Sequence, residues 1–276
     1  MIIDTHVHIG GKPFSNGSGI SEMTEDMTLT ALTRYNIDYA LVSNCDSAEV
    51  DHEQKLFPQE CQISQTDSLA RMLKFTRSHS DRMKVAVWVK PLTEGLTPQL
   101  EQMIRDNIDI IRAIKLHPFH SNVSPTDKRT LPYIELAKEL GLSVVSHTGG
   151  CEAADPVHMY ELAKMFPSVN MVMVHLGLGT DNAAAIGLLS KADNLYGDTT
   201  WVPMSSTIRA VNMGLADKIM FGSDSPIDGP DTYLHNKTGD RSIYQDYFYE
   251  LPKFISHDEY DRIMWKNASE VIGLKI

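Results

Sequence analysis

The sequence predicts a single-domain α/β fold, a slightly distorted (β/α)8 TIM barrel with long loops at the C-terminal ends of its strands. Two observations carry that expectation. Eight short apolar, β-rich runs alternate with amphipathic stretches through all 276 residues, which implies parallel strands with helices outside and, at eight units, closure into a barrel. The connections are also asymmetric: those from helix to strand are short, as at Gly141-Leu142, Ser168-Val169 and Ala216-Asp217, whereas Gly10 to Thr24, Cys45 to Thr66, Pro118 to Thr130 and Ser225 to Ser256 all follow strands and are long. Long loops therefore gather on one face, where barrels of this kind carry their sites. The open doubly wound sheet is the alternative, and it would normally show a glycine-rich first turn, which this chain lacks.

The strands fall at Ile2 to Asp4, Tyr39 to Ser43, Val85 to Val89, Ala113 to Leu116, Ser143 to Ser146, Met171 to Val174, Asn194 to Tyr196 and Lys218 to Phe221. Between them the helices carry readable punctuation. Thr97 and Pro98 form an N-cap and a proline at the first helical position, with Leu100, Met103 and Ile104 on one face. Asp155 and Pro156 repeat the signal ahead of Met159, Leu162, Ala163 and Phe166, and Pro167 ends that helix. Gly141 stands where a helix C-cap favours glycine. Ser256 and Glu259 suit a capping box before Tyr260, Ile263, Met264 and Val271.

Composition narrows the function classes. Lysine and arginine number 25 against 36 aspartate and glutamate, a net charge of −11, and no basic cluster occurs. Nucleic acid and anionic membrane surfaces are therefore not expected partners. No run of 18 apolar residues and no basic-then-apolar leader occurs, so the expectation is a cytoplasmic protein acting on a small molecule. Cys45, Cys61 and Cys151 lack metal-knuckle spacing and read as free thiols.

Chemistry concentrates where strands end. "THVH" closes the first strand, "IKLHP" the fourth, "VVSHTGG" the fifth, "VMVHLGLG" the sixth and "MFGSDSP" the eighth. His6, His8, His117, His147, His175 and Asp224 thus occupy equivalent positions. A lone His-x-His pair would prove little, since eleven histidines placed at random give about 0.4 such pairs. Five histidines at strand ends are harder to dismiss, while His52, His79, His158 and His257 fall elsewhere and are assigned nothing. Residues two apart on a strand face the same side, so His6 and His8 project together toward the barrel axis. Imidazoles plus a carboxylate are the ligand set of a catalytic zinc or related divalent ion.

Taken in order, "DTHVH", "IKLHP", "SHTGG", "VHLGLG", "FGSDSP" and the closing "NASEVIGL" make the chain resemble the amidohydrolase superfamily of metal-dependent barrel enzymes, in particular its amidohydrolase-2 group, over essentially its whole length. The resemblance implies that His6, His8, His147 and Asp224 bind one divalent ion, zinc, with His175 nearby as acid/base and Asp224 also taking a proton from water. Lys115 and His117 share a face. In two-metal members a lysine at this strand is carboxylated and bridges the ions; in one-metal members the segment lines the pocket, which is preferred because Lys115 stands two residues back from the mouth. Asp198 and Trp201 after the seventh strand, and Tyr233, His235 and Arg241 in the loop 228–241, are candidate substrate contacts, with plain packing an equal account of the first two.

Three functions remain open on these residues. The first is hydrolysis of an amide, cyclic amide or lactone by metal-activated water. The second is metal-dependent decarboxylation of a small unsaturated or aromatic acid. It would call for arginines, and Arg34, Arg71, Arg77 and Arg82 are expected on or near helices away from the mouth, leaving Arg241. The third is a barrel that binds metal without turnover. The loop-bearing face could also be completed by a second copy in a homo-oligomer.

Overall fold

The computed structural model describes residues 1–15, 22–227 and 243–273. Eight parallel strands form one sheet in sequential order: β1 (Ile3–Ile9), β2 (Tyr39–Asn44), β3 (Met83–Trp88), β4 (Ile111–Leu116), β5 (Ser143–Gly149), β6 (Met171–Leu178), β7 (Leu195–Asp198) and β8 (Ile219–Met220). The sheet curls until its edges meet. Because β8 is only two residues long, closure falls largely to the segment beyond it. Thr5 N–H donates to the Phe221 carbonyl at 3.0 Å, Asp224 N–H to His6 O at 2.8 Å, and His8 N–H to Ser225 O at 2.8 Å. Those bonds stitch Asp224 directly to the strand that carries His6 and His8.

Each strand separates two environments. Ile3, Leu41, Ala86, Ala113, Val145, Val172, Val174 and Met220 pack inside the barrel, where Ala268, Val271 and Ile272 of the C-terminal helical run join them. Val42, Val85, Ile114, Val144, Met171 and Leu195 belong instead to the larger core between sheet and helices. Burying such side chains contributes about 1.5–3 kcal/mol each. The two-residue pleat then carries the inward face from apolar to polar: Ala113 leads to Lys115, Val145 to His147, and Tyr196 to Asp198.

Two irregularities re-aim side chains at the mouth. On β1 the inward position passes from Ile3 to His6 and His8, while Val7 and Ile9 pack in the outer core. Asp4 pairs with Ala40 but Val7 with Val42, so three steps on β1 match two on β2, a bulge that reverses the facing. On β6, Val172 and Val174 face inward. The backbone then turns left-handed, with φ of 68° at His175, 47° at Leu176 and 83° at Gly177, and the pairing jumps from His147–Val174 to Gly149–Leu178.

The helix signals are realised. Thr97 accepts from Leu100 N–H at 3.2 Å ahead of helix Pro98–Asp106, and Asp155 from Val157 N–H at 2.8 Å ahead of Pro156–Met165. Gly141 is left-handed with φ 66° after Leu131–Leu140. Ser256 and Glu259 form a reciprocal capping box. Two expectations are corrected. The histidines expected just past the ends of strands one, five and six lie inside β1, β5 and β6, because backbone pairing continues beyond the apolar residues that mark a strand in sequence. The stretch Pro118 to Thr130 contains a short helix, Pro118–Ser121, whose N-cap is His117. Among the described residues no helix is long and apolar enough to cross a membrane, and Cys45, Cys61 and Cys151 are free.

Candidate metal centre

Three donor atoms converge at the mouth. His8 Nε2 lies 2.8 Å from His6 Nε2 and 2.9 Å from Asp224 Oδ1, and His6 Nε2 lies 3.3 Å from the same oxygen. His6, His8 and Asp224 are all buried. Zinc–nitrogen and zinc–oxygen bonds near 2.1 Å in a tetrahedron place donors about 3.4 Å apart. The three atoms are therefore close to the spacing that one divalent ion requires, and the donor set suits it.

The fourth expected ligand is turned away. His147 Nε2 faces the Gly149 carbonyl at 3.2 Å, and among the described residues its ring atoms are not part of the compact donor group. Its ring stacks on His117 with centroids 4.4 Å apart, and His117 stacks in turn on Trp88 at 4.5 Å. His117 Nδ1 accepts the His120 N–H at 3.3 Å. These rings make a planar wall on one side of the mouth. His175 stands next to His147, edge-on with ring centroids 4.6 Å apart, and 5.6 Å from the ring of His6. Its Nδ1–H donates to Thr200 O at 3.1 Å, which leaves the Nε2 lone pair free. Trp201 approaches His175 edge-on at 6.4 Å and remains 41 % exposed.

Lys115 lies beneath the donors, fully buried, with Nζ 3.3 Å from His6 Nε2 and 3.5 Å from His6 Nδ1. Burial pushes its ammonium down to about 8. Burial also holds His8 and His175 down at about 4 and His117 and His147 well below the ordinary imidazole value, so these rings are neutral near pH 7. Burial and Lys115 push His6 down as well, but Asp198 and Asp224 outweigh them and its value is raised. Burial alone would raise the Asp224 carboxyl; contacts with His6 and His8 reverse this and hold it well below the carboxylate range.

A profile of the amidohydrolase family, the amidohydrolase-2 group, matches residues 3–274. The chain belongs to the amidohydrolase family. Solved structures of related shape cover nearly all of it at low identity, and so support the fold. A dihydroxybenzoic acid decarboxylase from a Polaromonas species, with bound manganese and 2-nitroresorcinol, is 13 % identical with a TM-score of 0.70, covering 100 % of this chain and 97 % of its own. A 4-oxalomesaconate hydratase from Rhodopseudomonas palustris is 18 % identical at TM-score 0.66, covering 99 % and 96 %. A probable 2-pyrone-4,6-dicarboxylic acid hydrolase from Acinetobacter baumannii, with citric acid bound, is 17 % identical at TM-score 0.64, covering 99 % of each chain. No curated protein matches the sequence significantly.

Within this amidohydrolase, several residues at the centre carry more than the sequence suggested. Asp4 lies behind His6, accepting the His6 N–H at 3.1 Å, the Ser223 N–H at 3.0 Å and the Ser223 hydroxyl, while burial raises its carboxyl to about 7. Ser43 Oγ touches His8 Nδ1 at 2.9 Å. Ser43 pairs with His8 across β1 and β2, so its position at a strand end opposite a histidine was the available signal. Arg71, expected away from the mouth, reaches the loops after β1 and β2, holding Glu22 at 2.6 Å and Glu25 and Asp46 at 2.9 Å. Tyr233, His235 and Arg241 lie outside the described residues.

Proposed function

We propose that this amidohydrolase is a metal-dependent hydrolase that uses activated water to cleave an amide, cyclic amide or lactone bond of a small molecule. The observation that carries this reading is the convergence of His6 Nε2, His8 Nε2 and Asp224 Oδ1 beside a neutral His175 whose Nε2 is unengaged. His6, His8 and Asp224 would hold one divalent ion, for which we favour zinc although the same nitrogen and oxygen donors also accept manganese, iron or cobalt, and a rotation of His147 would add a fourth ligand. When bound, such an ion supplies Lewis acidity that polarises a carbonyl and makes water nucleophilic near neutral pH.

The chain's own groups account for the rest. Asp224, kept ionised by His6 and His8, accepts the proton that water must lose on attack. His175, with Nδ1 held by Thr200 O, would accept a proton at Nε2 and pass it to the leaving group. Lys115, His117 and Trp201 line the base, wall and rim for the substrate. The protein would work on a small molecule in the cytoplasm, with one ion per chain.

Decarboxylation on the same scaffold needs cations to hold a carboxylate. Arg77 pairs with Asp109 and Asn107, Arg82 donates to Ile37 O, and Arg71 is held by three acids. Among the described residues Lys115 is the cation beside the donors. A screen of zinc-loaded protein against lactones, cyclic amides and amides, read by pH indicator and run beside carbon dioxide trapping from aromatic and enoic acids, decides between the two. Ring opening or amide cleavage is expected; carbon dioxide release without hydrolysis would overturn the hydrolase reading.

A further inference from the structure

Asp198 ends β7 at the foot of the donor cluster. Its Oδ1 accepts the N–H of His175 at 3.0 Å and that of Thr200 at 3.1 Å. Its Oδ2 is buried, makes no hydrogen bond, and stands 3.6 Å from His6 Nδ1. A buried acceptor left unsatisfied is destabilising, so the placement of this oxygen needs a donor to offset it. At 3.6 Å the contact with His6 is electrostatic, just outside hydrogen-bond range.

The two nitrogens of His6 face opposite demands. Nε2 looks at His8 Nε2, at 2.8 Å, and at Asp224 Oδ1, at 3.3 Å. Nδ1 looks at Asp198. As a metal ligand His6 must be a neutral imidazole, which has one proton to place. On Nδ1 it gives Asp198 a donor and leaves the Nε2 lone pair toward the donor cluster. On Nε2 it leaves Asp198 without a donor and points an N–H where a ligand lone pair is required. Lys115 Nζ lies 3.5 Å from Nδ1 and 3.3 Å from Nε2, so it competes for whichever lone pair is free.

We propose that Asp198 is a positioning residue that fixes the proton of His6 on Nδ1 and, through the His175 amide, holds the left-handed turn that brings His175 to the mouth. This inference rests on the metal-site reading above. One carboxylate then orients both a metal ligand and the proton-handling histidine, the arrangement by which outer groups commonly tune a bound ion.

The test is Asp198→Asn in the full chain. The amide keeps an oxygen for the His175 and Thr200 N–H groups but turns an NH2 toward His6 Nδ1, which reverses the tautomer. Cobalt(II) and zinc(II) affinities are measured by competition with a chromophoric chelator, together with the cobalt visible spectrum. The expected result is a loss of affinity of about 10–100-fold and altered cobalt bands, with the thermal midpoint in chelator changed by less than about 3 °C. Equal affinity and an unchanged spectrum would overturn the role of Asp198 while leaving the metal site standing. Wild-type protein that binds neither ion would overturn the metal site and the inference with it. Should the variant not fold, nitrogen-15 NMR of the zinc-loaded wild type replaces it: a proton on His6 Nδ1 supports the inference, and one on Nε2 overturns it.

Discussion

His175, Trp201 and Asp224 hold left-handed backbone, with φ of 68°, 59° and 64°. For residues other than glycine this conformation is sparsely populated and costs of order 1–3 kcal/mol when the surroundings impose it. Here the imposing contacts are visible: Asp198 accepts from His175 N–H, and Asp224 N–H is bound to His6 O. The side-chain chemistry of His175 and Asp224 was legible in sequence, because a strand-end histidine or aspartate keeps its side-chain type whatever the backbone does. Their geometry was not, since neither histidine nor aspartate advertises a positive φ as glycine does. In the proposed hydrolysis, His175 is the residue on which acid–base function turns. Replacing it with asparagine should lower kcat by about 10²–10⁴-fold while elemental analysis shows the ion retained; loss of the ion together with activity would make His175 a ligand instead.

At the scale of elements, the bulges on β1 and between β5 and β6 decide which side chains meet. Alternation alone would have put His175 on the outer face with Met171 and Met173. A single sequence gives no sign of a register shift except the glycines that permit it, and Gly149 is one. It has φ 96°, and a Cβ there would lie 2.2 Å from Leu178 N and 2.5 Å from Leu178 O. Gly149→Ala should therefore destabilise the fold by more than about 2 kcal/mol, as positive φ and a backbone clash together demand, measured by chemical denaturation; a change under about 0.5 kcal/mol would show that the junction relaxes easily. The helices were easier to read. Thr97, Asp155, Gly141 and Ser256 act through local bonds within a few residues, which sequence spacing encodes directly. The ends of β1, β5 and β6 were read short for the opposite reason: at a barrel mouth the inward residues turn polar before the pairing stops.

For the molecule as a whole, the loops above the strands must be tied to one another. Glu49 does this from a buried position. Its carboxylate accepts Thr93 N–H at 2.6 Å, Thr93 Oγ–H at 2.8 Å and Leu92 N–H at 3.3 Å, while its own N–H donates to His120 O at 2.9 Å. One residue thus joins the loops after β2, β3 and β4. Lys90, Arg129 and Tyr133 are the titratable groups that couple to it. Burial, only partly offset by those hydrogen bonds and Lys90, raises Glu49 from 4.5 to about 7. The folded chain therefore binds this proton more tightly than the unfolded one, and stability from it is lost as pH rises from about 4.5 through about 7. Glu49→Gln should flatten the fall in unfolding free energy over that window by up to about 3 kcal/mol; identical slopes in the two proteins would contradict it. Barrel closure is the other global device, and because it runs through the segment after β8 it also brings Asp224 against His6 and His8. That meeting point is most directly tested by metal content per chain, measured by elemental analysis of protein purified without chelator or affinity metal, beside His6→Ala and Asp224→Ala. About one ion in the wild type, lost in both variants, is the predicted result. Wild-type protein that holds no ion after reconstitution, or variants that hold it undiminished, would contradict a metal centre at the mouth of this barrel.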